Sequence, residues 1–252
     1  ERDGGGCDLL SFLLATEALA HGSLSVAAAC MMQALMGTDF VFRFLRGPLR
    51  DRIVQKALSG ELIGTICMTE PNAGSDLLSM TTRAKEQDGT WRLTGEKTWI
   101  TSAPVADFFT VFARTGDDAL SIFFVERGAA GLSVGRAIEK MGVRASLTSE
   151  VSFDDTPAIL LGEKDAGISS LRKILADIRV MTGALALGVA RAAFEDAVRY
   201  AGERKQFGQT ISRFQAVQLH LAKMRTDLEA ARQMVYYAAW RSERGMDNTD
   251  ES

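Results

Sequence analysis

The hydrophobic period of this 252-residue chain changes twice, and those two changes restrict its fold more than any other feature. From Asp8 to about Gly60 the apolar positions recur at helical spacing. From Leu62 they fall in short β-branched runs, and from Ala166 helical spacing returns. The order predicts an α+β multi-domain chain: a helical domain over 1–61, a central antiparallel β-domain over 62–164, and a C-terminal helical bundle over 165–252. The β-domain is then inserted into a helical part that flanks it on both sides.

Local signals place the elements. Asp8 can cap a first helix carrying Leu9, Leu10, Leu13, Leu14 and Leu19, which ends near Gly22. A second helix starts at Ser23 or Ser25 and stops at Gly37. A third lies around 40–45, and a fourth runs over 48–58 with Pro48 in its first turn, where a missing N–H costs nothing. The strand candidates are 62–69, 79–85, 90–94, 97–101, 108–113, 120–125, 133–136 and 151–154, separated by Gly- and Asp-rich turns. A segment at 168–175 leads into a long Ala- and Gly-rich helix over 179–204. In the last segment Phe214, Val217, Leu221, Met224, Leu228, Ala231, Val235 and Ala238 form a stripe that needs another helix against it.

Composition excludes little but helps. The 29 Lys and Arg against 32 Asp and Glu leave a net charge of −3, which gives no reason to expect nucleic acid or an anionic membrane as partner. No apolar run approaches the roughly 18 residues of a spanning helix. Cys7, Cys30 and Cys67 are widely spaced and read as reduced, buried thiols. His21 and His220 stand apart, so no metal site is expected. The Gly4-Gly5-Gly6 run reads as an exposed turn. The chain opens on Glu1 rather than Met and stops at Ser252 just after a helical pattern, which reads as a fragment lacking both termini and any targeting peptide.

The segment Thr69-Glu70-Pro71-Asn72-Ala73-Gly74-Ser75-Asp76 is the strongest chemical candidate. It leaves an apolar strand, its small residues allow close backbone approach, and its successive N–H groups can form an anion-binding nest. Alone, such a loop reads more readily as an ordinary polar turn.

Four places together resemble a known family. Residues 69–76 are similar to the T-E-P-x-A-G-S-D signature of acyl-CoA dehydrogenases, and Gly95-Glu96-Lys97-Thr98-Trp99-Ile100-Thr101 to their G-x-K-x-W-I-T strand. Lys140-Met141-Gly142-Val143-Arg144 and Val151-Ser152-Phe153-Asp154-Asp155 resemble K-M-G-x-R and V-x-F-D-D. Arg204-Lys205-Gln206-Phe207-Gly208 with Phe214-Gln215 resembles R-x-x-F-G and its downstream Gln. The order and spacing are the family's, over essentially the whole chain.

That resemblance implies FAD, with residues 62–164 as the flavin-binding domain, and a homotetramer built as a dimer of dimers. Met68 and Thr69 are expected at the flavin's pyrimidine edge and Ser75 near the pyrophosphate and thioester. Trp99 is expected against the ring face, with Ile100 beside it and Thr101 at the edge bearing N5. Arg204, Gln206, Phe207 and Gln215 are expected on the adenosine diphosphate part in a neighbouring subunit, and Arg179 near the acyl carrier. The implied reaction is α,β-dehydrogenation of an acyl thioester to the trans-2-enoyl thioester, with electron-transfer flavoprotein as acceptor. The implied location is the cytoplasm, or the mitochondrial matrix in a eukaryote, within fatty acid metabolism.

The implied carboxylate base is expected beyond Ser252, and the alternative family position before Arg179 is Ile178, so the segment alone is expected to be inactive. Asp177 is one position out of register, and Glu70 is read as structural. The short Gly116-Asp117-Asp118 turn keeps an acyl-carrier-protein thioester open beside CoA. A flavin oxidase or monooxygenase of similar fold, and a non-catalytic flavin-containing stress protein, are the rival readings.

Overall fold

The structure, a computed structural model, describes residue 6 and residues 8–246. The readings made for Cys7, for the turn at Gly4-Gly5 and for the last residues to Ser252 lie outside the described residues. The chain divides into two compact units. One is Ala29–Leu175; the other combines described residues of Cys7–Ala28 and Ala176–Ser252. This division cuts across the three stretches read from period, because helices before the strands pack with the sheet.

In the first unit seven strands form one sheet: β1 Gly64–Cys67, β2 Arg83–Gln87, β3 Thr90–Thr101, β4 Phe108–Arg114, β5 Leu120–Glu126, β6 Leu132–Val134 and β7 Thr148–Leu161. The pairings run β2–β3–β7–β5–β4 and return to β2, closing the sheet on itself, with β1 on β4 and β6 on β7. Most pairs are antiparallel, as expected. The β1–β4 pair and the single β2–β4 bridge are parallel, a feature that short local strand patterns do not encode. β4 is buried on both faces. Phe109 and Val111 join Leu93, Phe123 and Val151 in the inner core, and Phe112 meets Phe40 edge-on at 5.7 Å.

Three strand expectations change. The candidates 90–94 and 97–101 are one strand, since the chain stays extended through Gly95, where a Cβ would strike Thr82. Residues 79–82 are not strand: the N–H groups of Thr81 and Thr82 donate to the Glu70 carboxylate instead of to a ladder. A two-residue hairpin, β8 Lys205–Gln206 and β9 Gln209–Thr210, was not anticipated.

Helices α3 Asp39–Phe44 and α4 Gly47–Leu58 follow the expected positions, with Pro48 in the first turn of α4. Helix α2, Leu24–Met31, does not run to Gly37 as an α-helix but widens into a π-helical turn over Met32–Gly37. Gly37 and Gly64 pack backbone to backbone there, leaving no space for a Cβ on either. The Gln33 amide locks the crossing, donating to the Leu62 carbonyl at 3.1 Å and accepting from Gly64 N–H at 2.9 Å. Helical continuity over Leu24–Phe44 gives 21 residues containing an 18-residue stretch of mean hydropathy 1.4, which corrects the expectation that no apolar stretch reaches spanning length. The run is broken by its π turn, and one third of it is buried. Cys67 is buried, but Cys30 is exposed, because it faces an open pocket rather than the core.

The second unit contains α1 Leu9–Gly22, the later turns of α5 Gly167–Glu203, and α6 Gln215–Glu243. The Asp8 carboxylate caps α1 by accepting from Ser11 N–H at 2.7 Å. Gly188 of α5 meets the Glu17 carbonyl and Ala20 of α1 with no space for a Cβ. The α6 stripe is covered only in part: Leu228 and Ala238 are buried and Val235 packs on Gly183 of α5, but Met224 and Ala231 are exposed, and Glu17 of α1 is held by Arg232 at 2.9 Å and by Tyr236 at 2.9 Å.

Candidate functional site

Strand β1 ends at Cys67 and hands the chain to Met68 and Thr69, half-buried at the mouth of the loop. The loop folds back at once: Glu70 and Ala73 exchange backbone hydrogen bonds of 2.9 and 3.2 Å. Two N–H groups of the expected nest, those of Glu70 and Ala73, are thereby used internally. Ser75 is exposed.

Beneath the loop lies a buried ion pair. Glu70 Oε1 accepts from Lys97 Nζ at 2.8 Å and from Thr82 N–H at 3.0 Å, while Oε2 accepts from the Thr81 N–H and hydroxyl at 2.6 and 2.8 Å. Burial pushes the Glu70 carboxyl up, but the Lys97 ammonium and the threonine donors outweigh it and hold the pKa at about 2. Burial also depresses Lys97, against the support of Glu70. The neighbouring Cys67 thiol is pushed up to about 12 by burial and is inert.

The C-terminal half of β3 supplies the other wall. The β3–β7 register slips between Lys97 and Ile100, and at this bulge Trp99 adopts a φ of 57°. A bulky side chain in the left-handed region costs on the order of 1–3 kcal/mol, and such strain concentrates where a side chain must be presented. Trp99 is 57% exposed, whereas Ile100 beside it is buried in the core and paired with Ser149 of β7. Thr101 is half-buried.

The polar character of this edge is one-sided. Lys97 Nζ donates to the Met68 carbonyl at 3.0 Å, Thr98 N–H to the Thr69 carbonyl at 2.9 Å, and the Thr65 hydroxyl to the Thr101 carbonyl at 2.5 Å. All three acceptors are therefore engaged from behind. The Thr69 N–H, the Thr69 hydroxyl and the Thr101 hydroxyl have no partner among the described residues. Lys97, Thr65 and Thr98 were not among the predicted site residues. A lysine at an inward position of an apolar strand was the one signal that could have found the first of them.

Immediately after Thr101 the chain turns through Ser102, with a φ of 65°, along a pocket of about 670 Å³. Its walls are largely apolar and small, among them Ala29, Ala34 and Ala57, with Phe42 and Leu147, and the polar Gln33 and Cys30. The segment after the third motif is pinned nearby by Lys140, which donates to the Ser146 carbonyl and to the Thr148 hydroxyl.

The remaining predicted residues lie in the second unit. Phe207, with a φ of 51°, and Gly208, with a φ of 77°, form the tight turn of the β8–β9 hairpin, the dihedral signs of a type I′ turn. The turn leaves the Phe207 ring 94% exposed, edge-on to Phe214 at 6.3 Å. Arg204, Gln206 and Gln215 are exposed on the same hairpin and at the first residue of α6. Glu203 pairs with Arg199 rather than with Arg204. Arg179 does not begin the long helix, as expected, but lies inside α5, exposed and away from Asp177, whose carboxylate accepts from the Ser242 hydroxyl. Ile178 is buried.

Residues 65–156 match the acyl-CoA dehydrogenase middle domain, and residues 165–252 match the acyl-CoA dehydrogenase C-terminal domain. Benzylmalonyl-CoA dehydrogenase of Aromatoleum aromaticum is 56% identical over 94% of this chain and 64% of its own length. Butyryl-CoA dehydrogenase of Megasphaera elsdenii superposes with a TM-score of 0.93 at 34% identity, covering 98% of this chain and 67% of the other. An FAD complex of PigA superposes with a TM-score of 0.93 at 31% identity, covering 98% and 67%. The chain thus spans about two thirds of the relatives it matches. Both family domains lie in order along it, and the motif segments at 69–76, 95–101 and 204–208 fall on the loop, strand and hairpin just described: the chain belongs to the acyl-CoA dehydrogenase family.

Proposed function

We propose that this chain is the central portion of an FAD-dependent dehydrogenase acting on acyl-CoA thioesters. The observation that carries the reading is the row of unpartnered N–H and hydroxyl groups beside the exposed Trp99. A flavin, when bound, supplies an acceptor for two electrons and a proton, and negative charge gathers along its pyrimidine edge. Fixed N–H and O–H donors there favour that charge without reorganising, whereas a free carbonyl would oppose it. Thr69 and Thr101 provide the donors, and Lys97, Thr98 and Thr65 remove the competing acceptors. The Trp99 indole supplies an apolar wall that orients a planar ring and excludes water. Arg204, Gln206, Phe207 and Gln215 are suited to a diphosphate and its adenosine, through guanidinium, amide and aromatic contacts.

For the acyl group the pocket beyond Ser102 is the fitting volume. Its alanine-rich apolar lining suits a bulky hydrocarbon, and the Aromatoleum relative is named for a CoA thioester bearing a benzyl group. We therefore favour an aryl-bearing acyl-CoA, converted to its trans-2-enoyl form. The proton acceptor is assigned to no described residue: Glu70 is locked in its ion pair, Asp177 is engaged by Ser242, and Ile178 is apolar. Electron-transfer flavoprotein as acceptor and a tetrameric assembly belong to the same proposal.

The test is anaerobic titration of the full-length, FAD-loaded protein with aryl-bearing and straight-chain acyl-CoA thioesters. Bleaching of the flavin band, earlier with the aryl substrate, is the expected result. Absence of bleaching by any thioester would reject dehydrogenation.

A further inference from the structure

The Glu70–Lys97 pair has more hydrogen bonds than a spacer needs. Its side chains are 3% and 0% exposed, and every strong donor or acceptor on them is used: the carboxylate takes four bonds, and the ammonium reaches Glu70, the Met68 carbonyl and, at 3.6 Å, the Met80 sulfur. Taking two charges out of water costs several kcal/mol per ion, and apolar side chains of similar volume often stabilise a core as well or better. Stability alone therefore does not account for the pair. Its one contact with the candidate cofactor edge is the bond from Lys97 to Met68 O.

That bond fixes the peptide joining Met68 to Thr69. With the carbonyl drawn inward, the N–H of the same peptide is directed to the opposite side, because the two groups of a planar trans peptide point apart. Thr98 N–H fixes the next carbonyl in the same sense. If the Met68 carbonyl lost its donor it would be left as an unsatisfied acceptor, at a cost of about 1–3 kcal/mol, and the peptide would gain by turning toward water or ligand. Thr81 and Thr82 hold the carboxylate, and the carboxylate holds the ammonium, so the orientation is set from β2's approach through to the loop.

We propose that Glu70 and Lys97 are a positioning pair, which turns the Met68 carbonyl away from the cofactor and so biases the site toward the reduced, more negatively charged flavin. The inference rests on the reading that this loop holds FAD. It adds a role to two residues that touch neither the substrate nor the reacting atoms.

The test compares reduction potentials of full-length FAD-loaded wild type and the double variant Glu70→Gln/Lys97→Met, with circular dichroism to establish folding. The double variant removes one charge of each sign, so net charge near the flavin is unchanged. Positioning predicts about a tenfold loss of preference for the reduced cofactor, a potential lower by about 30 mV for a two-electron couple. Glu70→Gln alone sharpens the distinction: loss of a negative charge by itself raises the potential, whereas mispositioning lowers it. An unchanged potential in the double variant, or a raised one in Glu70→Gln, overturns the proposal. A wild type that takes up no FAD would instead overturn the reading beneath it.

Discussion

At the scale of single residues, the account turns on which polar groups are used up and which are left over. The segment over 69–76 was legible as a loop leaving an apolar strand, and its reading as a ligand loop came from the family resemblance. The exposure of Trp99 was not legible, since a tryptophan in a strand is ordinarily core, and only the bulge after Lys97 with its positive φ turns the ring outward. Nor was the capping of Met68 O, which depends on a lysine twenty-nine positions away in sequence. Glu70 gives this scale its pH prediction. Its pKa is about 2 in the folded chain against 4.5 as the ordinary value. The stabilisation from its ionised form is therefore complete above about pH 4.5 and disappears as pH falls toward 2. Urea unfolding of wild type is expected to weaken steeply through that window, and Glu70→Gln is expected to flatten the slope.

At the scale of elements, two crossings without space for a Cβ organise the packing. The Gly37–Gly64 contact brings the π-helical turn onto β1, directly beside the pocket. Gly64→Ala places a methyl group against the Gly37 carbonyl and the Phe108 ring, and is expected to cost about 3 kcal/mol, the upper end for overpacking. Chemical denaturation would show it as a lowered midpoint with unchanged slope. In the helical unit Glu17, 4% exposed, is held by Arg232 and Tyr236. Removing one partner of a buried pair leaves an uncompensated charge, so Arg232→Met is expected to lose about 3–5 kcal/mol. Adding Glu17→Gln is expected to recover most of the loss. Equal stability of the single and double variants in thermal melts would refute that assignment. The stripe on α6 announced a helix partner, but the partners' identity came from Gly183, which meets Val235, and from Glu17, whose roles depend on chain segments far apart. The parallel β1–β4 pairing was hidden for the same reason.

At the scale of the whole molecule, the two changes of hydrophobic period named the right classes of structure in the right order. The compact packing units divide the chain at other points, because α3 and α4 pack with the sheet, whereas α1 packs with α5 and α6. Motif order was more informative than period, since each motif carries a local backbone requirement: the folded-back loop, the bulged strand, the tight hairpin turn. The central claim is that the loop after β1 and the end of β3 together hold a flavin, with Trp99 against it. Titrating the full-length apoprotein with FAD while following tryptophan emission tests this most directly. The account predicts saturable quenching in the wild type, the larger part of which is lost in Trp99→Phe although FAD still binds. Quenching of equal depth in both proteins would contradict it.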